Sequence, residues 1–482
     1  MKLIENVNNL KKLLPEIIFL YHLKIPSLYK VSEVYLDQAH PTRKFESELF
    51  IRRSLGFLRA FFVTLINSAF EKGKVKKHNA DIILVSKEVK NYSGKNFFFG
   101  ELGDKLKDLD ILVLDLRIDS ESFLPNKFNI KKRGSLNICV LPRLNSKECL
   151  MIVKELVQTF ILLRTEIKNQ TDIEKKKLLE LIRNRIFSKT NYFNFYLAIQ
   201  LDLFLQNNNF NKAIVTFDGS PWERIFCRKF KKYSAFGKIS FYQHAPITEN
   251  SYSLFNENLP SLTPDQILCS GSIPQDIFKK NSSYKKNISV LGSRKNLDKS
   301  VKDNIDKSDS LIFITQGSKK EIRMLYKLAL KVSYRNKNLN TKVLLHPAVS
   351  LGIYLNACNF IMKYFVKNFK CISSPPDDVF IKSKYMIYFS SSLSIEKIPY
   401  GIRPIYLKNP DLGNPLDLLV NKLEPNLSWC TQAEKYQDII KIINQKEDSI
   451  SFQGKFSKQH AIEFSKGYFE PFDLTKGLMK LQ

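Results

Sequence analysis

Four short runs carry side chains suited to moving protons and holding negative charge, and each sits just past an apolar run. In the first, Thr216-Phe217-Asp218-Gly219-Ser220-Pro221-Trp222-Glu223-Arg224, an Asp-Gly turn leads into a Ser-Pro helix start. Proline is favoured in a first helical turn and serine can cap it. This spacing places the Asp218 carboxylate either as a general base or as the organiser of its own turn, with Gly219 and Glu223 beside it. The second run, Tyr242-Gln243-His244-Ala245, offers His244 to a substrate phosphate or to the core. In the third, Leu344-Leu345-His346-Pro347-Ala348, Pro347 cannot continue a strand ladder, so the chain must turn and leave His346 at the strand tip. An imidazole there can bear positive charge against a phosphate or give it a proton. The fourth, Tyr388-Phe389-Ser390-Ser391-Ser392-Leu393-Ser394-Ile395-Glu396, sets three hydroxyls at a strand-to-helix junction. Free backbone N–H groups there make an anion site, with Glu396 one turn on and within reach of a ribose hydroxyl. Thr315-Gln316-Gly317-Ser318 forms a further phosphate-facing loop.

The elements that must hold these tips follow from the apolar pattern. Residues 1–78 read as mainly helical, and 79–295 as an α/β lobe with a helical insertion over 146–207. Its strands are short apolar runs beginning near Asp81, Asp110, Ser135, Lys212, Lys238, Gln266 and Asn287. Arg294–Ser310 lacks apolar period and reads as a linker. A second α/β lobe spans 308–421, with strands beginning near Leu311, Thr341, Tyr385 and Pro404, and 422–482 reads as helical. The expected architecture is two Rossmann-like doubly wound lobes with a ligand cleft between them, flanked by helical ends.

Composition narrows the function classes. The 482 residues, 44% hydrophobic and 26% charged, are those of a folded, water-soluble protein. A net charge of +29 suits polyanions or anionic headgroups, although part of it is an ordinary solvated lysine-rich surface. No basic tail, zinc-finger spacing or RNA-binding aromatic signature accompanies it, so a nucleic-acid partner is not expected. The seven cysteines show no metal spacing and read as reduced thiols in the cytoplasm. The N-terminus lacks an apolar signal core. Leu55–Phe70 is too short to span a bilayer and carries Arg59 and Asn67; it reads as a half-buried helix or one lying on a membrane.

In combination, Asp218-Gly219, His346-Pro347 and Ser391-Ser392 resemble the bacterial sialyltransferase group. Those enzymes have the two-lobed GT-B architecture and use CMP-activated acidic sugars. That group carries an acidic-acidic-Gly motif in its first lobe, a His-Pro motif in its second and a Ser-Ser or Ser-Thr motif beyond. Here the first acidic position is Phe217, and the serine register is open between Ser390-Ser391 and Ser391-Ser392. The resemblance implies an inverting glycosyltransferase acting on a bacterial surface glycan or lipid-linked glycan, without metal or other cofactor. Asp218 would be its base and His346 would face the leaving phosphate. Gln316, Gly317, Ser318, Pro347, Ser391, Ser392 and Glu396 would line the donor site, with Gly219, Glu223 and His244 on the acceptor side. Asp108-Leu109-Asp110 precedes a strand and reads as a turn, not as a metal site. The charge places such an enzyme at the inner face of the cytoplasmic membrane. Two rivals remain at this stage. One is a UDP- or GDP-sugar or glycerophosphate transferase clamped by Arg294 or Lys319-Lys320; the other is a basic nucleic-acid- or partner-binding protein.

Overall fold

The computed structural model describes residues 43–70, 77–78, 80–87, 98–100, 102, 110–116, 137–139, 141–247, 252–255, 260–281, 287–295, 308–315, 319–346, 366–372, 377–389, 391–408, 429–444 and 452–473. Helix α1 (Arg43–Phe70) precedes strands β1 (Ile82–Lys87), β2 (Ile111–Leu116) and β3 (Asn137–Cys139). Helices α2 (Ser146–Asn169), α3 (Ile173–Arg183) and α4 (Lys189–Gln206) follow. Next come β4 (Lys212–Phe217), α5 (Pro221–Tyr233), β5 (Lys238–Gln243), β6 (Gln266–Cys269), α6 (Ser272–Asn281) and β7 (Ile288–Val290). The seven strands form one parallel sheet in the order β3-β2-β1-β4-β5-β6-β7. With α-helices against it, the sheet can fill its strands with apolar residues, and the β1 segment Ile83-Leu84-Val85 is wholly buried.

The second lobe repeats the plan. It contains β8 (Ser308–Ile314), α7 (Lys319–Arg335), β9 (Asn340–Leu344), β10 (Phe369–Ile372), α8 (Asp377–Ile381), β11 (Ser383–Tyr388), α9 (Leu393–Glu396), β12 (Arg403–Leu407), β13 (Thr431–Ala433) and α10 (Tyr436–Asn444). Its parallel sheet runs β10-β9-β8-β11-β12-β13. Both sheets therefore reverse direction at their middle, between β1 and β4 and between β8 and β11. Doubly wound sheets bind ligands at such points, beyond the carboxyl ends of the strands.

The expected two-lobe α/β architecture is the one observed. Two strands escape the sequence pattern. Lys370 faces out of four-residue β10, breaking its apolar run. Three-residue β13 lies in the stretch expected to be helical and has only Ala433 buried, too little for a period to show. The segment read as a linker also ends earlier than expected, because β8 starts at Ser308. The helices between β3 and β4 are real and locally encoded. Asn145 accepts from Glu148 N at 3.0 Å while Glu148 accepts from Asn145 N at 2.7 Å, a reciprocal cap that starts α2. Helix α1 is half-buried, with Phe57, Ala60 and Thr64 inward against α2 and α4. No described helix is long and apolar enough to cross a membrane.

A last helix, α11 (Phe452–Tyr468), packs against α6 of the first lobe and against the second lobe, and the chain then continues along the first. Ser465 Oγ donates to Ile395 O at 2.6 Å, while Tyr468 OH accepts from Ile247 N at 2.7 Å. Beyond it Glu470 N donates to Ser270 O at 2.9 Å, Ser293 N to Glu470 O at 2.7 Å and Asp473 N to Leu291 O at 2.9 Å. This close approach is why Gly271 and Gly292 are glycines. A Cβ on Gly271 would overlap the Gly467 carbonyl, and one on Gly292, whose φ is +95°, would overlap the Pro471 carbonyl. Gly292→Ala is therefore expected to destabilise the protein by about 2 kcal/mol and to loosen the returning segment. Urea unfolding and protease sensitivity after Tyr468 measure both effects, and an exposed Gly→Ala control elsewhere should do neither.

Candidate active site between the lobes

Two of the strand tips named by the sequence, those at His244 and Ser392, meet through a residue outside all four motifs. Lys295 follows β7 in the first lobe. Its Nζ donates to Ser392 Oγ of the second lobe at 3.1 Å and to His244 O at 3.4 Å, and it lies 5.0 Å from the centre of the Phe469 ring. Burial pushes the Lys295 ammonium down to about 8, and Arg294 adds to that while the Glu396 carboxylate opposes it. Because Lys295 and His244 follow the ends of β7 and β5, and Ser392 follows β11, the carboxyl edges of the two sheets face each other across this lysine.

On the first-lobe side, Gly219 takes a φ of +83° and makes the tight turn that the Asp-Gly pair predicts. Glu223, fully buried, reaches back from the first turn of α5 and accepts from Asp218 N at 2.8 Å and Gly219 N at 3.0 Å. Asp218 Oδ1 accepts from Ser220 N at 3.0 Å, so the carboxylate does organise its turn; it is nevertheless exposed beyond the strand. Burial raises Glu223 well above the ordinary carboxylate range, and the neighbouring Asp218 charge and hydrogen bond raise it further. Ser220 occupies the cap position without a side-chain cap bond, because Glu223 already satisfies the turn.

His244 packs edge-on against Phe98, with ring centres 4.6 Å apart, and burial lowers it to about 4. Its Nδ1 is buried with no hydrogen-bond partner among the described residues. His346 stands at the tip of β9, where its backbone N–H donates to Thr315 Oγ1 at 3.2 Å, and burial lowers its imidazole too. Burial disfavours the charged form of both imidazoles, so a cationic histidine at either tip would need an anion against it. Among the described residues, cations at this junction include Lys295, Arg294 and Lys397.

The serine run is also revised. Helix α9 has only four residues and Ser392 makes no side-chain cap bond, so a long helix dipole does not back the hydroxyls. Ser391 is buried, its Oγ 3.4 Å from Leu393 N, whereas Ser392 Oγ faces Lys295. Glu396 Oε1 pairs with Lys397 Nζ at 3.2 Å, and its charge reaches Lys295. Lys397 itself is buried over Phe380 and Tyr400, at 4.9 and 5.2 Å from their ring centres.

Contacts join Asp218 with Glu223 and, as a second group, His244, Lys295, Ser392 and Glu396, while the Asp218 charge acts on His244. His346 lies two strands from the serines along the same sheet edge, in the order β9-β8-β11. Ser390, Gln316, Gly317, Ser318 and Pro347 lie outside the described residues. Lys295, Lys397, Phe98 and Phe469 were missed by sequence reasoning. Lys295 offered only its place just beyond a strand end, and it fell in a stretch without apolar period. Among the described residues no three His, Cys, Asp or Glu side chains converge as metal ligands would.

Neither a protein-family model nor a curated protein sequence matches the chain. Solved structures of similar outline include a Listeria monocytogenes protein assigned as a UDP-N-acetylglucosamine 2-epimerase. It shows 12% identity over 82% of this chain and 93% of that one, with a TM-score of 0.46. An S. aureus MnaA–UDP co-structure gives 12%, 82%, 96% and 0.42 in the same order. The spinosyn rhamnosyltransferase SpnG with thymidine diphosphate gives 10%, 82%, 98% and 0.41. At such identities and scores, what this chain does must be read from its own residues.

The Asp218–Glu223 arrangement makes a stability prediction. Glu223→Ala strands two backbone N–H groups and should cost about 3 kcal/mol, while Glu223→Gln, which keeps an acceptor, should cost about half. Since folding raises the Glu223 carboxyl, its contribution is full below the ordinary carboxylate range and is lost as pH rises through the raised value. The stability gap between wild type and Glu223→Gln should therefore narrow from acid to neutral pH in urea titrations. A gap that widens with pH would mean Glu223 is held ionised.

Proposed function

We propose that this protein is a glycosyltransferase that moves a sugar from a nucleoside diphosphate donor to a glycan or lipid-linked glycan at an anionic membrane surface. The observation that carries this reading is the Lys295 ammonium set between the carboxyl edges of two doubly wound sheets and bonded to Ser392. A second lysine, Lys397, stands on the other side of Glu396. Two fixed cations suit a diphosphate leaving group better than one phosphate, which neutral hydrogen-bond donors could serve. The serines and the Thr315–Ser318 loop would hold the donor from the second lobe, with His346 donating a hydrogen bond to the departing oxygen. Asp218, exposed across the cleft, would take the acceptor hydroxyl proton as that oxygen attacks the anomeric carbon opposite the nucleotide, which inverts the centre. The CMP-sugar reading keeps one specific support, the order of Asp218-Gly219, His346-Pro347 and Ser391-Ser392 along the chain.

A thermal-shift panel separates the two donors. UDP, dTDP or GDP at about 100 times its Kd should add about 2.7 kcal/mol of stability, with CMP and CTP adding far less. Selective stabilisation by CMP would return the donor to the CMP class, and indifference to every nucleotide would remove the protein from nucleotide-sugar chemistry. With the responsive donor in hand, Asp218→Asn should lower kcat by about 10²–10⁴ while nucleotide affinity survives. His346→Ala should weaken nucleotide binding as well as turnover.

A further inference from the structure

The first-lobe helices carry an apolar face that no described residue covers. On α1 the side opposite buried Phe57, Ala60 and Thr64 holds Ile51, Leu55, Leu58, Phe62 and Ile66, each between 44% and 61% exposed. Their spacing of four, three, four and four residues makes one stripe, about 22 Å long at the rise of a helix. A helix apolar on two opposite sides is ordinarily covered on both.

Helix α2 runs antiparallel beside it. Ser68 Oγ of α1 meets Ser146 Oγ of α2 at 2.9 Å, and Phe57 and Phe160 both pack on Phe187. Along α2 an exposed stripe steps by alternating threes and fours through Lys147, Leu150, Lys154, Val157, Ile161, Arg164 and Lys168. Its charged members are all basic. The three acids of the helix, Glu148, Glu155 and Glu166, fall on a separate stripe spaced by seven and eleven residues. Arg59 adds an exposed cation to α1. A contact with an ordinary protein partner gives no reason to exclude acids from one flank so completely. Apolar side chains interleaved with long basic ones suit a bilayer interface, where the former enter the acyl boundary and the latter reach the phosphates.

We infer that the α1–α2 face is the surface by which this protein docks on anionic lipid, its apolar stripe entering the headgroup layer and its lysines and arginines meeting lipid phosphates. This rests on the reading that the protein works at a membrane surface, and it names the part of the molecule that touches it.

Sedimentation of the full chain with phosphatidylcholine vesicles, with and without phosphatidylglycerol, tests the inference. Two variants at exposed positions accompany it, Leu55→Gln/Phe62→Gln and Lys154→Glu/Lys168→Glu, their folding checked by circular dichroism and melting. The wild type should bind the anionic vesicles and release them at high salt. Each variant should bind about tenfold more weakly with an unchanged melting temperature. Unaltered vesicle binding in both folded variants would overturn the face while leaving membrane association in place. Failure of the wild type to bind anionic vesicles, or equal binding to neutral ones, would overturn both. Sedimentation velocity without lipid covers the other occupant: a wild-type dimer that Leu55→Gln/Phe62→Gln dissociates would make the face a contact between two copies and overturn the proposal.

Discussion

An ammonium group between two lobes is the constraint on which the rest of this molecule depends. Lys295 leaves the last strand of the first sheet and ends on Ser392, just past the fourth strand of the second. A half-buried cation must be compensated, and here a hydroxyl, a backbone carbonyl, an aromatic face and the nearby Glu396 charge share that work. None of them neutralises it by direct ion pairing, since the described contact of Glu396 is with Lys397. The depressed Lys295 value expresses the remaining deficit: the site gains from any anion that enters it. Under the proposed function, a lysine held in this way would be placed for a donor phosphate before one binds, the electrostatic form that catalysis of group transfer requires.

That arrangement has meaning only if the lobes keep their relative position, and the returning chain supplies the clasp. Tyr468 ends α11 with its hydroxyl on the first-lobe Ile247 amide, and its ring packs against Phe469, whose own ring lies beside Lys295. Clasp and cation are thus one structure. The glycines at 271 and 292 exist for the passage of this segment, so residues far from any chemistry are bound to it by the space they leave. Local capping sets the details. Glu223 satisfies the Asp218-Gly219 turn from within its own helix, which leaves the Asp218 side chain at the surface of the cleft.

Much of the fold was legible in the sequence, because buried parallel strands are near-continuous apolar runs and most here are long enough to show. β10 and β13 were not, since four residues with Lys370 outward, or three with one buried side chain, carry no pattern. The candidate site was legible where a backbone rule marked it: glycine after Asp218, and proline after His346. What the sequence could not convey was electrostatic. Burial lowers both histidines and Lys397 pairs with Glu396, and neither fact follows from residue type. Lys295 was invisible because its role depends on a contact across 97 residues of chain. The exposed face of α1 was half-seen, as a buried or half-buried helix first and a helix lying on a bilayer second, because periodicity shows two apolar sides without saying which one the core takes.

The central claim, that Lys295 holds donor phosphate as a cation, is tested most directly by calorimetric titration of UDP across a pH series. The ammonium binds the anion and the neutral amine does not. Wild-type affinity should therefore fall as pH rises through about 8, with proton uptake on binding above that point. Lys295→Arg, which stays charged, should bind with little pH dependence, and Lys295→Met should bind weakly at every pH. Wild-type affinity that is flat across the series, or a Lys295→Met variant that binds as tightly as wild type, would contradict the account.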